Sequence, residues 1–391
     1  RADTFTGTKI KGAGLMKDLV FSKSKAYTLG VELEFQLVDR NTLDLVPRVR
    51  SILDNLVPGG SNRIVPEFLQ SIVEIQTGVC DCITEVAADL SRTIQVVEDV
   101  ADTKNCILYS ASLHPFAEPA EQEVSDGERY KRIMEELQYV GRQFISQGLH
   151  VHVGVGEGDA AIRVCDIMQA YLPILLALST SSPYFRGEDT GFHSYRTKLF
   201  ESLPLAGIAG FSGSWQGFVD EVAFLQKCQV IKQIKDLWWD VRPSPGFGTV
   251  EVRICDLPSR FSEILGLTAV IQALVAYFVE SEIIPFPVSL QLLRSNKWQA
   301  ARHGLEGRFN DPYGLLDHSN QSLRQAAEEL FDMVRPFVER FQTMENVQVM
   351  RDVLKFGTST DHQRALVAQG KSYEDMISRL RDDYWIHEEN I

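Results

Sequence analysis

Four short segments carry acidic, imidazole or guanidinium side chains, in three of them on alternating positions, within runs rich in Val, Leu, Ile and Phe. They are Gly30-Val31-Glu32-Leu33-Glu34-Phe35, the stretch Glu67 to Glu74, His150-Val151-His152 and Glu251-Val252-Arg253. In an extended strand residues i and i+2 point to the same face. Each doublet therefore aims two polar groups at one side of a sheet whose other side is apolar. Several carboxylates and imidazoles facing one way need compensating charge, which divalent cations supply, most naturally when bound to phosphate. The pattern points to a metal-dependent enzyme built on a sheet.

Taken one at a time, the segments have plainer readings. Glu32 and Glu34, or Glu74 between Val73 and Ile75, fit a sheet covered on one side only. His150 and His152 could be satisfied strand histidines, and His-x-His also occurs at hydrolase zinc sites, so the pair does not fix the metal. Glu251 and Arg253 share a strand face, which usually marks a structural ion pair. With Arg242 beside the Pro243-Ser244-Pro245-Gly246 turn, a second reading is a phosphate clamp of two guanidinium groups and one metal-binding carboxylate.

Composition narrows the class. The 391 residues have 44% hydrophobic content, ample for a core. The net charge of −14 argues against a nucleic-acid partner, which needs a basic surface. The six cysteines are scattered and read as reduced thiols of a cytoplasmic protein. Cys80-Asp81-Cys82 lacks the second ligand pair of a zinc finger. The first 25 residues are mildly basic without an apolar run. Ile167–Leu178 and Ile264–Val279 fall short of a bilayer span and read as buried helices, so no membrane partner is expected.

Along the chain, residues 1–25 read as a polar basic tail and 26–391 as a single catalytic domain. Strands are expected at Tyr27–Val38, Ser71–Gly78, Cys106–Ser110, Gly148–Gly156, Lys235–Arg242 and Gly248–Asp256, the last two joined by the Pro-Ser-Pro-Gly turn. Helices are expected at Thr84–Asn105, Asp126–Ser146 and Asp159–Leu178, then near 262–282, 288–304, 319–343 and 364–382. The stretch Ser179–Ser214 reads as an ordered active-site loop region. The fold class is α+β: a twisted, largely antiparallel sheet with helices packed on one face. Neither Gly-x-x-x-x-Gly-Lys-Ser/Thr nor Gly-x-Gly-x-x-Gly opens a helix, so a bound nucleotide would be held by metals and arginines. Cys80 and Cys255, near the candidate strands, read as buried structural thiols.

Taken in order, Thr28-Leu29-Gly30-Val31-Glu32-Leu33-Glu34-Phe35, Val73-Glu74-Ile75-Gln76-Thr77, His114-Pro115-Phe116, Glu128-Arg129-Tyr130, His150-Val151-His152-Val153-Gly154, Ser181-Ser182-Pro183-Tyr184 and Asp240 to Arg253 resemble the carboxylate-amine ligase family. These are the type 2 glutamate–cysteine ligases, similar in fold to glutamine synthetase and guanidino kinases. The resemblance implies an ATP-dependent ligase that activates a carboxylate as an acyl phosphate and joins it to an amine, with glutamate and cysteine as the first pair. It implies Mg²⁺ or Mn²⁺ in two positions, one held by Glu34, Glu67 and Glu74, the other by Glu32, His150 and Glu251. His152 would lie near the nucleotide, and Arg242 and Arg253 would face phosphate. Arg196, in His193-Ser194-Tyr195-Arg196, is a further candidate for a substrate carboxylate or phosphate. More distant glutamate–cysteine ligases have Asn where this chain has His152. The loops 183–214 and 242–248 are candidates for shielding an acyl phosphate from water.

Other readings stay open: a phosphotransferase of guanidino-kinase type, a ligase for another amino acid and amine pair, a zinc hydrolase on His150 and His152, and a non-catalytic binding protein. The expected partners are small amino acids, and apolar helices without an evident cover suggest a homodimer.

Overall fold

The computed structural model describes residues 19–56 and 63–385; residues 1–18 of the basic tail lie outside the described residues. The strands that carry the alternating doublets are β1 (Leu29–Asp39), β2 (Ile64–Pro66), β3 (Ile72–Gln76), β4 (Cys106–Tyr109), β5 (Leu149–Gly154), β6 (Val241–Ser244) and β7 (Thr249–Val252). Among the described residues they form one seven-stranded sheet in the order β6-β7-β5-β1-β3-β2, with β4 also paired to β1. Every pairing is antiparallel. Gln36 pairs with Ile72 on one edge of β1 and Tyr109 on the other. Hence β4 and β5 take successive halves of the same edge.

Alternation decides the two faces. Leu29, Val31, Leu33, Phe35 and Leu37 of β1, Val73 and Ile75 of β3, Val151 and Val153 of β5 and Val250 and Val252 of β7 are at most 1% exposed and share one core. Three helices cover this face. α1 (Ile83–Thr103) lies on β1, β3 and β4, α3 (Gly158–Met168) on β6 and β7, and α5 (Phe261–Glu280) on β5. In α1 the buried Val86, Leu90, Ile94 and Val97 recur at helical spacing. Each such side chain taken from water contributes about 1.5–3 kcal/mol, which sets the register against a one-residue slip that would expose the whole row. The opposite face carries Glu32, Glu34, Glu74, His150, His152, Arg242 and Glu251. At the β4 end it too is covered, where Val38, Ile72, Ile107 and Tyr109 pack with Met376, Ile377 and Leu380 of the C-terminal helix Tyr373–Asp383.

Several expectations need correction; the helices expected near 319–343 and 364–382 are each a pair, Leu323–Met333 with Arg335–Arg340 and Ser359–Ala368 with Tyr373–Asp383. The helix expected over Asp159–Leu178 is two helices, α3 and α4 (Leu172–Ser179), bent by 67°. Pro173 in the first turn of α4 has no N–H for a continuous ladder and its ring would clash with the preceding turn. The helix expected over Asp126–Ser146 breaks after α2 (Glu128–Leu137), at Gln138 with φ +49°. Pro243 lies inside β6 and not in the turn, as an edge strand allows. A helix at Met344–Phe356, absent from the apolar-spacing assignment, packs along α5. By length and composition α5 could cross a membrane, but 83% of its apolar window is buried inside the structure.

Candidate active site

The sheet register builds the polar floor. Glu32 pairs with His150, His152 with Glu251, Glu251 with Arg242, and Glu34 with Glu74. Side chains from five strands thus converge on one face.

The first group is Glu32, His150 and Glu251, which can each offer a ligand atom within 4.8 Å of the others. His150 Nδ1 lies 3.2 Å from Glu32 Oε2, while its buried Nε2 has no hydrogen-bond partner. Burial and then Arg253 push the His150 imidazole down to about 4, leaving a neutral ring with a lone pair to give. His152 stands between the acids, with Nε2 3.5 Å from Glu32 and 4.0 Å from Glu251. Its Nδ1 is 2.9 Å from Thr249 Oγ1 and its ring meets Phe247 edge-on. Burial opposes charge on His152, but Glu251 and Glu32 outweigh it and raise its pKa. Burial opposes charge on Glu32 and Glu251 as well. His150 and His152 overcome it at Glu32, Arg253 and Arg242 at Glu251, and both carboxyls are held below the usual range.

Glu34, Glu67 and Glu74 form the second group, again with ligand atoms mutually within 4.8 Å. Glu34 Oε2 accepts from Gly148 N–H at 2.7 Å, Glu67 Oε2 from Phe68 N–H at 2.8 Å, and Glu74 from the Gln76 amide. Burial, then the charge of Glu67, pushes Glu34 up to about 8 and Glu74 well above the usual range. Three carboxylates this close, Glu74 buried and the other two half-buried, could hold a hard divalent cation. The unpartnered His150 nitrogen and this uncompensated charge both fit the two cation positions that the sequence resemblance implies.

Three arginines were expected at the site, and two line the cavity. Arg242 donates to Glu251 from Nε at 2.8 Å and from a terminal nitrogen at 3.2 Å, and to the Leu237 carbonyl at 2.7 Å. Arg253 bonds Glu251 through one terminal nitrogen, which also lies 3.4 Å from His150 Nδ1. Arg196 does not line the cavity. It is 3% exposed and donates to the carbonyls of Ile254 and Arg253 at 3.2 and 3.3 Å, behind the floor. These bonds support the strand end that bears Arg253. Gly148 permits this: a Cβ there would sit 2.4 Å from the Arg196 guanidinium.

The floor lies in a cavity of about 480 Å³, within the usual range for small-molecule sites. Its walls include groups that the doublets did not signal. One wall is Tyr130, Ile133, Leu137, Phe144, Phe200 and Leu203, with Ser146 at its foot. The other includes Leu19, Trp238 and the hairpin Pro243–Phe247. Tyr130, Ile133 and Leu137 recur three and four residues apart on α2, the legible signal for that wall. The hairpin is tied to residues just before β1: Ser22 N–H donates to the Pro245 carbonyl at 2.9 Å and the Ser24 hydroxyl to that of Gly248 at 2.6 Å. Gly248, at φ +70°, has no room for a Cβ, which would fall 2.2 Å from the Ser22 carbonyl oxygen. The thiols of Cys80 and Cys255 are buried and pushed up by that burial to about 11 and about 12, which makes them inert.

Comparison with known proteins follows the same lines. The family model described as glutamate-cysteine ligase family 2 matches residues 28–317. A Thermobifida fusca (strain YX) protein, provisionally named glutamate–cysteine ligase 2, is 36% identical over 375 residues, 93% of this chain and 92% of the relative. One from Sorangium cellulosum (strain So ce56) with the same provisional name is 37% identical over 369 residues, 90% of this chain and 95% of the relative. The solved glutamate–cysteine ligase of Francisella tularensis, in complex with AMP, superposes with a TM-score of 0.65 at 14% identity, over 94% of this chain and 91% of that one. A bifunctional glutathione synthetase from Pasteurella multocida gives 0.67 at 16%, over 95% of this chain and 52% of that one. Both of these likenesses are of fold.

Proposed function

Since the chain belongs to glutamate–cysteine ligase family 2, we propose that it is an ATP-dependent carboxylate–amine ligase, with weak activity on glutamate and cysteine to give γ-glutamylcysteine. The observation that carries this reading is the pair of three-ligand groups side by side on one sheet face, the first backed by two arginines.

Glu32, His150 and Glu251, and separately Glu34, Glu67 and Glu74, would hold Mg²⁺ or Mn²⁺. Bound there, the ions supply neutralising charge for phosphoryl oxygens. A carboxylate is a poor electrophile until ATP transfers its γ-phosphoryl group to it; the amine then attacks the acyl carbon and phosphate leaves. Among the described residues Arg253 is engaged through a single terminal nitrogen, so the rest of its guanidinium is open to phosphate oxygens. Arg242 is fixed by Glu251 and Leu237 and keeps its second terminal hydrogens for the same use. Glu251 orients both arginines. His152, held by Thr249, faces the nucleotide side. Arg196 sets Arg253 from behind. Holding carboxylate, phosphoryl group and amine together could contribute roughly 7–11 kcal/mol at the extreme. The hairpin Pro243–Phe247 and the wall bearing Phe200 and Leu203 exclude the water that would hydrolyse an acyl phosphate.

The test is a pairwise screen of amino acids and amines with ATP and Mg²⁺, reading ADP and identifying the amide by mass. ADP and phosphate that appear only with acid and amine together, with an amide as product, are expected. A stable phosphorylated amine without amide would replace the ligase with a phosphotransferase, and turnover without ATP would replace it with a hydrolase.

A further inference from the structure

Apolar lining of the cavity stands beside both groups of the charged floor. Arg242 and Arg253 sit with Glu251, and beside them stands the wall of Trp238 and Phe247, whose ring centre lies 5.7 Å from that of His152. A polyanion is drawn to this end. At the other end Glu34, Glu67 and Glu74 place three carboxylates together, one negative charge more than a divalent ion held among them would neutralise, and that remaining charge favours an ammonium group. The second wall rises there. Phe68, next to Glu67, meets Tyr130 at 5.8 Å, and the Tyr130 hydroxyl donates to the Pro66 carbonyl at 3.2 Å. Phe144 and Phe200 pack edge to face at 4.8 Å, and the Arg196 guanidinium lies 4.7 Å from the Phe200 ring centre. Arg196 in turn abuts Gly148, whose N–H is bonded to Glu34.

Five of the six wall residues, Tyr130, Ile133, Leu137, Phe144 and Phe200, are half-buried and line the cavity. Ser146 at the foot of the wall is 6% exposed, and its hydroxyl has no partner. A buried hydroxyl without a partner costs about 1–3 kcal/mol unless a ligand supplies one. Building on the ligase reading, we infer that the amine substrate carries a bulky apolar side chain, aromatic or branched aliphatic. That side chain packs on Tyr130, Ile133, Leu137, Phe144, Phe200 and Leu203, with its nitrogen toward Glu34, Glu67 and Glu74 and a polar group on Ser146. The thiol-bearing side chain of cysteine would cover little of this wall.

The test is calorimetric titration of the whole chain, saturated with Mg²⁺ and a non-hydrolysable ATP analogue, with 2-phenylethylamine and with ethylamine. The ammonium groups are alike, so the difference reads the wall alone. Phenylethylamine is expected to bind at least about tenfold tighter, as burial of a ring requires. Phe144→Ser and Ile133→Ser, on separate elements and with melting temperatures checked, should each shrink the ratio at least about threefold while ethylamine binding stays the same. Equal binding of the two amines, or a ratio that survives both substitutions, overturns the inference. A parallel arm measures amide formation from glutamate with each amine. Amide formed equally from both, with equal binding, sinks the wall and leaves the ligase standing. A binding ratio without amide from any acid sinks the ligase and leaves the wall.

Discussion

The two carboxylate groups on the sheet face resemble each other in donor set and differ in compensation. Glu251 lies against Arg242 and Arg253 and is held as a carboxylate. Glu34 and Glu74 face Glu67 and are pushed toward their neutral forms. One group is balanced by the chain itself, while the other depends on something the chain does not supply. A preset cationic end and a cation-dependent end, a few ångströms apart, can order a polyanion and an ammonium group along one line.

The largest effect expected from breaking this comparison is in activity. Glu251→Gln and Glu34→Gln should each lower kcat/KM by about 10²–10³-fold or more, read as ADP and amide formation. Stability should then separate the two groups in sign. Glu251→Gln leaves two buried guanidinium groups short of a counter-charge and should cost about 3–5 kcal/mol in urea unfolding. Glu74→Gln, by contrast, relieves repulsion in the metal-free protein and should leave it unchanged or more stable by up to about 1 kcal/mol, while abolishing stabilisation by added Mn²⁺.

The pH dependence sharpens the contrast. Folded Glu34 ionises at about 8 instead of 4.5, so between those values the folded chain keeps a proton that the unfolded chain has lost. The metal-free protein should therefore lose stability as pH rises from about 6.5 to 8, by up to about 1.4 kcal/mol per unit. His152, also raised, acts in the same direction. His150 and His114, lowered to about 4, are neutral in both states over most of this window. Saturating Mg²⁺ should flatten the slope, and a metal-free slope that is flat or rises would contradict the uncompensated group. The smallest effect is Thr249→Val, which removes the partner of His152 Nδ1 and should cost about 1 kcal/mol with a modest rise in the KM for ATP.

Much of the floor was legible because strand periodicity is a local property. Leu29 to Leu37 on one side and Glu32 with Glu34 on the other follow from alternation alone, and the order of the doublets matched them to a family whose members share the sheet. Local pattern failed where one residue overrides it: Pro173 breaks a run that is apolar throughout, and positive φ at Gln138 ends a helix that composition would extend. Arg196 shows the converse. Its neighbourhood looked like a loop open to substrate, yet the chain spends its guanidinium on two carbonyls behind the floor. The aromatic wall escaped because its members come from α2, the turn at Phe144 and the short helix Arg196–Glu201, which no sequence spacing joins.

The sequence by itself determined the antiparallel strands, the identity of their buried rows and the ligand types that face away from the helices, since a period of two and the hydrophobic effect act on neighbours in the chain. Tertiary structure alone decided that Glu251 would be compensated and Glu34 would not, and that an apolar wall would stand beside the latter. Both depend on which distant side chains share a low-dielectric space, and charge and packing across that space are set by the register of the whole sheet.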